Sequence, residues 1–514
     1  MTTPQIPPHA EPGSAPWHGT APELRGKIPM ATVPYVQILP QPPDPVTAFF
    51  RRLLPTATTA APRWALAALA ATALLAAFAF TSGDPGVGIT LTGIGLLAAT
   101  LPLARRDQPV TRAVGAVIAV ALFLVPSLRD NEALVAICVL IGFGAIAATL
   151  APPIRFAGFL YGPFLAAVLW LPGLSWARRG IADLPGRRSA MLILRTAVIA
   201  TVVVVVFGAL FASADPAFAE LVETITPTMS PGLAIGRTIL FLFFLTGGFA
   251  YAHLAVRPAR LDLIGARPAR KVRLWEWAVP LTLLNALFAA FVAVQAVAFF
   301  GGAAYVARTT GLTYAEYARR GFWQLCWVTV LTLAVIAVAA RKAPRAQKAE
   351  RLILRVLLGA LCALSLVVVA SALHRMSLYE DMYGLTRLRV WIFTVELWLG
   401  LVFLLVMVAG IRLRARWLPR TVAATGAVAL IALAVLNPDG LIAQRNADHY
   451  AKTGKLDIEY LTSLSTDVVP GLDGLPAFQR ADVLDGLACF DDQDDLLAWN
   501  LSRSLAADAR PGHC

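Results

Sequence analysis

Charge is scarce in this chain. Asp, Glu, Lys and Arg make up 15% of its 514 residues, while 58% are apolar; soluble domains carry about 25% charged residues. A water-facing surface cannot be covered at that density, which excludes a single soluble globule. Lysine is scarcer still, six residues against thirty-eight arginines, which reads as a GC-rich bacterial coding bias and not as mechanism. The five cysteines include no C-x-x-C spacing, so thiolate zinc and redox motifs are excluded. Cys138, Cys326 and Cys362 sit in apolar runs, where a thiol behaves as a small hydrophobe. Cys489 and Cys514 lie in an acidic tail, where a disulfide is one option. Nucleotide-binding Gly-rich loops, HExxH, GxSxG and kinase signatures are missing.

Long apolar runs are present instead, without amphipathic spacing, and they point to lipid as the solvent. Twelve can be drawn: Trp64–Phe80, Val87–Ala104, Ala113–Pro126, Ala133–Leu150, Phe156–Leu174, Ala190–Phe211, Leu233–Leu254, Glu276–Phe300, Gly321–Ala340, Ile353–Leu373, Leu388–Ile411 and Thr421–Leu436. Most approach the ~20 residues that a ~30 Å hydrocarbon core demands. The fold class this predicts is all-α, a polytopic transmembrane bundle of about 11–12 helices with a small helical C-terminal extramembrane segment. Three parts follow. Residues 1–50 are a Pro-rich tail with twelve prolines before residue 46, expected to be disordered. Residues 51–436 form the multi-spanning domain, and 437–514 an acidic helical segment.

The formal charge of +13 is divided unevenly. From Ala447 to Cys514 there are twelve acidic and five basic residues, a net of −7, which leaves +20 elsewhere. That excess sits in short loops between runs, so it sets orientation and does not indicate nucleic-acid binding. Arginine clusters at 178–188, 257–273, 341–348 and 412–420 alternate with polar or acidic loops, so these four loops are expected in the cytoplasm. The chain is then a multi-pass protein of a bacterial plasma membrane, with its N-terminus cytoplasmic and its C-terminus extracytoplasmic. The first half does not close. Arg112 and Arg178 both belong inside, yet three runs lie between them, an odd number. Ala113–Pro126, the shortest, is the run expected to fall short of a crossing. Eleven crossings result, with twelve as the alternative.

Several segments resemble a bacterial membrane family known only as domain of unknown function 4173, with its relative 4153. They are Phe211-Ala-Ser-Ala-Asp-Pro-Ala-Phe218, Gly311-Leu-Thr-Tyr-Ala-Glu-Tyr-Ala-Arg319 with Gly321-Phe-Trp-Gln-Leu325, and Arg375-Met-Ser-Leu-Tyr379 with Tyr383-Gly-Leu-Thr-Arg-Leu-Arg389. Asn437-Pro-Asp439, Leu456-Asp-Ile-Glu-Tyr-Leu461 and Trp499-Asn-Leu-Ser-Arg503 complete the set. The likeness runs from about Phe207 to Arg503. It implies a multi-spanning membrane protein and brings no activity, substrate or catalytic residue.

On the expected topology these segments share the outer face, which makes Asp215, Glu316, Arg319, Arg375, Tyr379, Glu380, Asp381, Tyr383, Arg387 and Asp439 candidates for an outer recognition surface. Each has a structural alternative. Asp215-Pro216 has the form of a helix start, and Thr313 with Glu316 and Ser377 with Glu380 fit capping boxes. The Arg- and Tyr-rich stretch 374–389 suits head-group recognition or interfacial snorkelling. Glu396 stands apart, because it lies inside an apolar run where an ionised carboxylate needs a partner. Arg237, Gln295 and Gln324 are candidate partners at similar depth, forming an intramembrane polar cluster. The run Asp491-Asp-Gln-Asp-Asp495 lacks the order of an EF-hand loop, and neither a metal nor another cofactor is expected.

Three functions fit. The first is an envelope sensor or scaffold, with the lipid bilayer and an envelope protein or lipid as partners. The second is a transporter built around Glu396. The third is an external-face membrane enzyme using Asp215, Glu316, Glu380 or Asp381. A lipid-sugar glycosyltransferase is disfavoured, because its acidic pair would belong in Thr81–Gly86, which offers only Asp84.

Overall fold

The computed structural model describes residues 57, 59–153, 159, 164–183, 187–215, 231–258, 273–310, 322–344, 347–412, 415–487 and 495–509. Among these there are helices and no strand. The membrane part runs α1 (Arg63–Ala79), α2 (Val87–Thr100), α3 (Pro109–Leu128), α4 (Glu132–Leu150), α5 (Leu165–Ala182), α6 (Arg187–Ala214), α7 (Pro231–Val256), α8 (Leu274–Thr310), α9 (Phe322–Lys342), α10 (Lys348–Tyr383), α11 (Arg387–Arg412) and α12 (Leu418–Leu436). The tail adds α13 (Pro438–Thr453), α14 (Ile458–Thr462), a 3-10 segment (Thr466–Gly474), α15 (Ala477–Gly486) and α16 (Leu501–Asp508). Eight described helices are long and apolar enough to cross a membrane: α3, α4 and α7 to α12. The protein is therefore a multi-pass membrane protein, and its 19-residue α4 spans about 28 Å at 1.5 Å per residue.

Local chemistry sets several helix boundaries. Pro109 and Pro438 stand in the first turns of α3 and α13, where a missing N–H costs nothing. Asn131 starts α4 by accepting from the Leu134 N–H at 3.0 Å. Asn437 does the same for α13 through the Gly440 N–H at 3.1 Å. Gln347 and Glu350 close a reciprocal capping box on α10.

The helices pack as two bundles. One contains α1 to α5 and α7, around a core rich in alanine that includes Ala65, Ala119, Ala177 and Ala250. The other contains α8 to α11, around larger side chains such as Phe288, Leu354, Leu361 and Phe403. Helix α12 returns to lie on α3 and α4 of the first bundle. The tail has no core of its own. Its Ile442, Val468, Leu472 and Val483 belong to one buried cluster with Leu122 and Val125 of α3, Leu134 and Val135 of α4, and Leu433 of α12.

Contacts at the helix ends sort the two faces. The start of α2, the α3–α4 turn, the α10–α11 turn and the end of α12 all touch the tail. At the opposite face, Arg63 donates to the Asp183 carbonyl at 3.4 Å and Arg420 to the Pro153 carbonyl at 3.0 Å. Pro153 and Asp183 thus share a face, so the chain between them makes no net crossing. Ala113–Pro126, expected to be the incomplete run, is instead the body of a 20-residue helix. Hydropathy underestimated α3 because the apolar stretch was counted without the polar residues that begin and end the helix, and part of Phe156–Leu174 lies outside the described residues.

A second expectation also changes. The stretch 374–389, expected at the outer face with a capping box at Ser377 and Glu380, is largely helical. Helix α10 runs unbroken to Tyr383, the Ser377 hydroxyl donates to its own helix at the His374 carbonyl, and only residues 384–386 separate α10 from α11. Nothing between 374 and 383 breaks a helix, and polar residues end only its lipid-facing part. Gly384 supplies the turn at φ 74°, and a Cβ there would strike the Asn446 side chain of the tail. The N-terminal 50 residues, the helix expected after Asp215 and the Cys489–Cys514 pair lie outside the described residues.

Candidate functional site: a buried carboxylate–arginine junction

Three short polar stretches meet where the tail lands on the bundles. Arg129-Asp130-Asn131 is the α3–α4 turn, Arg387 begins α11, and Asp439, Asp467 and Arg503 come from the tail. Asp439 and Asp467 are fully buried.

Asp439 receives Arg387 in a two-pronged contact, from Nε at 2.9 Å and from Nη2 to its other oxygen. Asn131 Nδ2 donates to it at 3.0 Å, and the Ser465 hydroxyl at 2.7 Å. Asp467 accepts from the backbone N–H groups of Asp130 and Asn131 at 2.9 and 3.0 Å, and from Ser502 Oγ. Arg129 Nη1 lies 3.7 Å away. Burial is the largest influence on Asp467 and pushes its carboxyl above the ordinary value, against the opposing pull of Ser502, the Asp130 amide and Arg129. Asp130 pairs with Arg503 Nη1 at 2.6 Å and takes the Thr466 hydroxyl at 2.9 Å.

The remaining bonds go to helix ends, where backbone groups lack partners. Arg129 donates to the Ala434 and Val435 carbonyls that finish α12. Asn500 Nδ2 donates to Pro126 and Arg129 carbonyls at 2.7 and 2.9 Å, while its oxygen caps α16. The carbonyls of Trp499 and Leu497 accept from the first N–H groups of α2, Val87 and Gly88, at 3.0 and 2.8 Å. That approach requires glycine: a Cβ at Gly86 would overlap the Ala498 backbone, and one at Gly88 would sit 2.6 Å from the Ala79 Cβ. The Tyr460 hydroxyl accepts from the Arg387 N–H at 2.8 Å, and burial raises its titration above the phenol value.

Three aspartates face three arginines, and every carboxylate oxygen among them meets a donor. With each oxygen already accepting a hydrogen bond, the set is suited to fixing the elements that carry it. Its chemistry is that of a joint. Removing one partner from a buried pair costs far more than the pair contributes.

The other residues singled out by sequence lie elsewhere. The Glu396 carboxylate is buried and takes the Cys326 thiol of α9 as a donor, while its Oε2 has no hydrogen-bond partner among the described residues. Arg237 is not beside it; its guanidinium donates to Thr81 at 3.0 Å and stands 4.5 Å over the Phe78 ring. Gln295 accepts from Ser371 and Arg375, and Gln324 is exposed. The Tyr379 and Tyr383 rings are tilted by 43° with centroids 4.8 Å apart, with Arg389 4.4 Å over Tyr379. Glu380 is half-buried on the same stretch of α10, and Asp215 is exposed after α6. Glu316, Arg319 and the side chain of Asp381 are outside the described residues.

Of the outer-face candidates, then, Arg387 and Asp439 meet in the junction. Sequence reasoning missed Arg129, Asp130, Asn131, Asp467 and Arg503 as site residues. A signal for the first three was present: three consecutive polar residues in a turn too short to be a solvated loop. Nothing comparable marks Asp467, which sits in an ordinary Ser-Thr-Asp stretch.

The match to protein families falls on residues 113–475, with the family described as a domain of unknown function, DUF4153. The chain belongs to the DUF4153 family. It is thus the second-named relative of the resemblance that is matched, over a segment that begins with α3, earlier than the resemblance did, and ends after the 3-10 segment. Within it lie Asp130, Arg387, Asp439 and Asp467; Arg503 is beyond it. No curated protein and no solved structure matches the chain.

Proposed function

We propose that this DUF4153 protein is an envelope sensor or scaffold, with the tail face as its recognition surface and the carboxylate–arginine junction as its coupling element. In this reading the protein lies in a plasma membrane, its N-terminus cytoplasmic and its tail outside. The observation that carries it is Asp439, which holds Arg387 of the second bundle and Asn131 of the first on one side chain. A partner that tilts the tail therefore pulls on both bundles at once. Apolar side chains left exposed on the tail, Phe478 at 73% and Trp499 at 46%, support a contact surface there. A photoreactive residue replacing Trp499 or Tyr379 in the full chain, in its own membrane, tests this. The expected result is a defined protein adduct from both positions, weakened when Arg387→Ala loosens the tail from α11. Adducts with lipid alone remove the reading.

One observation favours a transporter as the second reading: the unpartnered oxygen of Glu396 inside the second bundle. A buried carboxylate of this kind is suited to carrying a proton or meeting a cation. Substrate-uptake profiles of vesicles containing Glu396→Gln are expected to differ from those of the unaltered protein, and identical profiles end this reading.

A further inference from the structure

The second bundle contains a cavity of about 420 Å³ between α9, α10, α11 and the start of α12, within the range of about 300–1,000 Å³ typical of ligand pockets. It lies at the end of the bundle opposite the tail. Its wall is aliphatic, from Ile336, Leu358, Val406 and Cys362, with one charged group, Arg355. No acidic residue lines it. Arg355 is exposed and makes no ion pair among the described residues. It is the inner member of a basic row, Lys348, Arg351 and Arg355, whose spacing puts all three on one side of α10. Arg416 follows the lining residue Ala415 across the mouth. Glu350 is the acidic group nearby on α10, and it is engaged in the capping box with Gln347.

Two glycines add an independent observation. Gly359 of α10 and Gly410 of α11 both line the cavity, and a Cβ on either would meet nothing within 4 Å. Small residues between membrane helices usually let backbones approach. Here they border unfilled space. From Arg355 to Cys362 is seven residues, about 10 Å along the axis, which fits within one leaflet of a ~30 Å hydrocarbon core. The opening has a cationic rim near the end of the bundle and an apolar shaft beyond it.

We propose that this cavity is a binding site for an anionic phospholipid, its phosphate held by Arg355 and Arg351 and one acyl chain inserted between α10 and α11. The cationic rim discriminates among lipids, because zwitterionic head groups gain little from it, whereas each arginine near an anionic head group contributes about fivefold in binding. The site is independent of the junction, at the other end of the molecule.

The test uses the full chain in nanodiscs carrying a trace of phosphatidylglycerol with a photoreactive acyl chain, and in parallel the phosphatidylcholine analogue. Labelled peptides are expected from 336–362 and 406–418, with the phosphatidylglycerol probe favoured severalfold. Arg355→Gln is expected to reduce that labelling about fivefold. Gly359→Leu, whose Cβ has open space around it, is expected to abolish it at unchanged melting temperature. Equal labelling by the two probes, labelling that survives Gly359→Leu, or full competition by a free fatty acid would each overturn the proposal.

Discussion

The two bundles differ at particular helix contacts. In the first, helices meet through glycine and alanine: a Cβ at Gly173 would lie 2.7 Å from the Phe249 carbonyl, and one at Gly180 would run into Ala61. In the second, Gly359 and Gly410 border open space, and larger side chains hold the helices apart. Lipid tails are as apolar as leucine, so helices in a membrane gain little from burial and associate through close contact and polar pairing. The first bundle therefore has one good arrangement. The second keeps a cavity and a buried glutamate, the features a protein needs in order to bind or move something. The contrast also explains where the junction sits, since a rigid half and an adaptable half need a fixed reference between them.

The largest break in this comparison is expected at the joint itself. Arg503→Ala leaves the nearly buried Asp130 without its cation, at a cost of about 3–5 kcal/mol. Hydrogen exchange at the Val87 and Gly88 N–H groups should accelerate as their carbonyl partners on the tail withdraw, while exchange within α9 and α10 stays unchanged. A smaller effect separates the bundles directly. Gly173→Leu forces a side chain against backbone in the first bundle, an overpacking worth about 1–3 kcal/mol, whereas Gly359→Leu should stay within about 0.5 kcal/mol. Thermal denaturation in one detergent compares the pair. Equal losses would mean that the two halves do not differ in tightness.

Much of the fold was legible in the sequence because lipid imposes a simple demand. Each of the twelve apolar runs overlaps a described helix, in order. Boundaries fared worse, since hydropathy reports where lipid ends and not where a helix does; α10 continues ten residues past Leu373 for that reason. The site was legible only in part. Asp439 and Arg387 drew notice as polar residues at run ends. Their connection through Asn131 did not, because hydrogen bonds such as Asn131–Asp439 join residues 308 apart, and no local pattern encodes a distance of that kind. Glu396 was conspicuous for the opposite reason, as a charge where charge is expensive, yet its neighbour is a thiol that sequence counts as apolar.

The clasp of residues 497–503 on the start of α2 and on the α3–α4 turn has a consequence for assembly. These residues leave the ribosome after α1 to α12, so α2 is made long before its cap. Until then the N–H groups of Val87 and Gly88 and the carboxylate of Asp130 wait in an interface that only the tail can complete. Formation of α2 and its capping are thus separate events in this molecule, and the second waits on translation of residues 497–503.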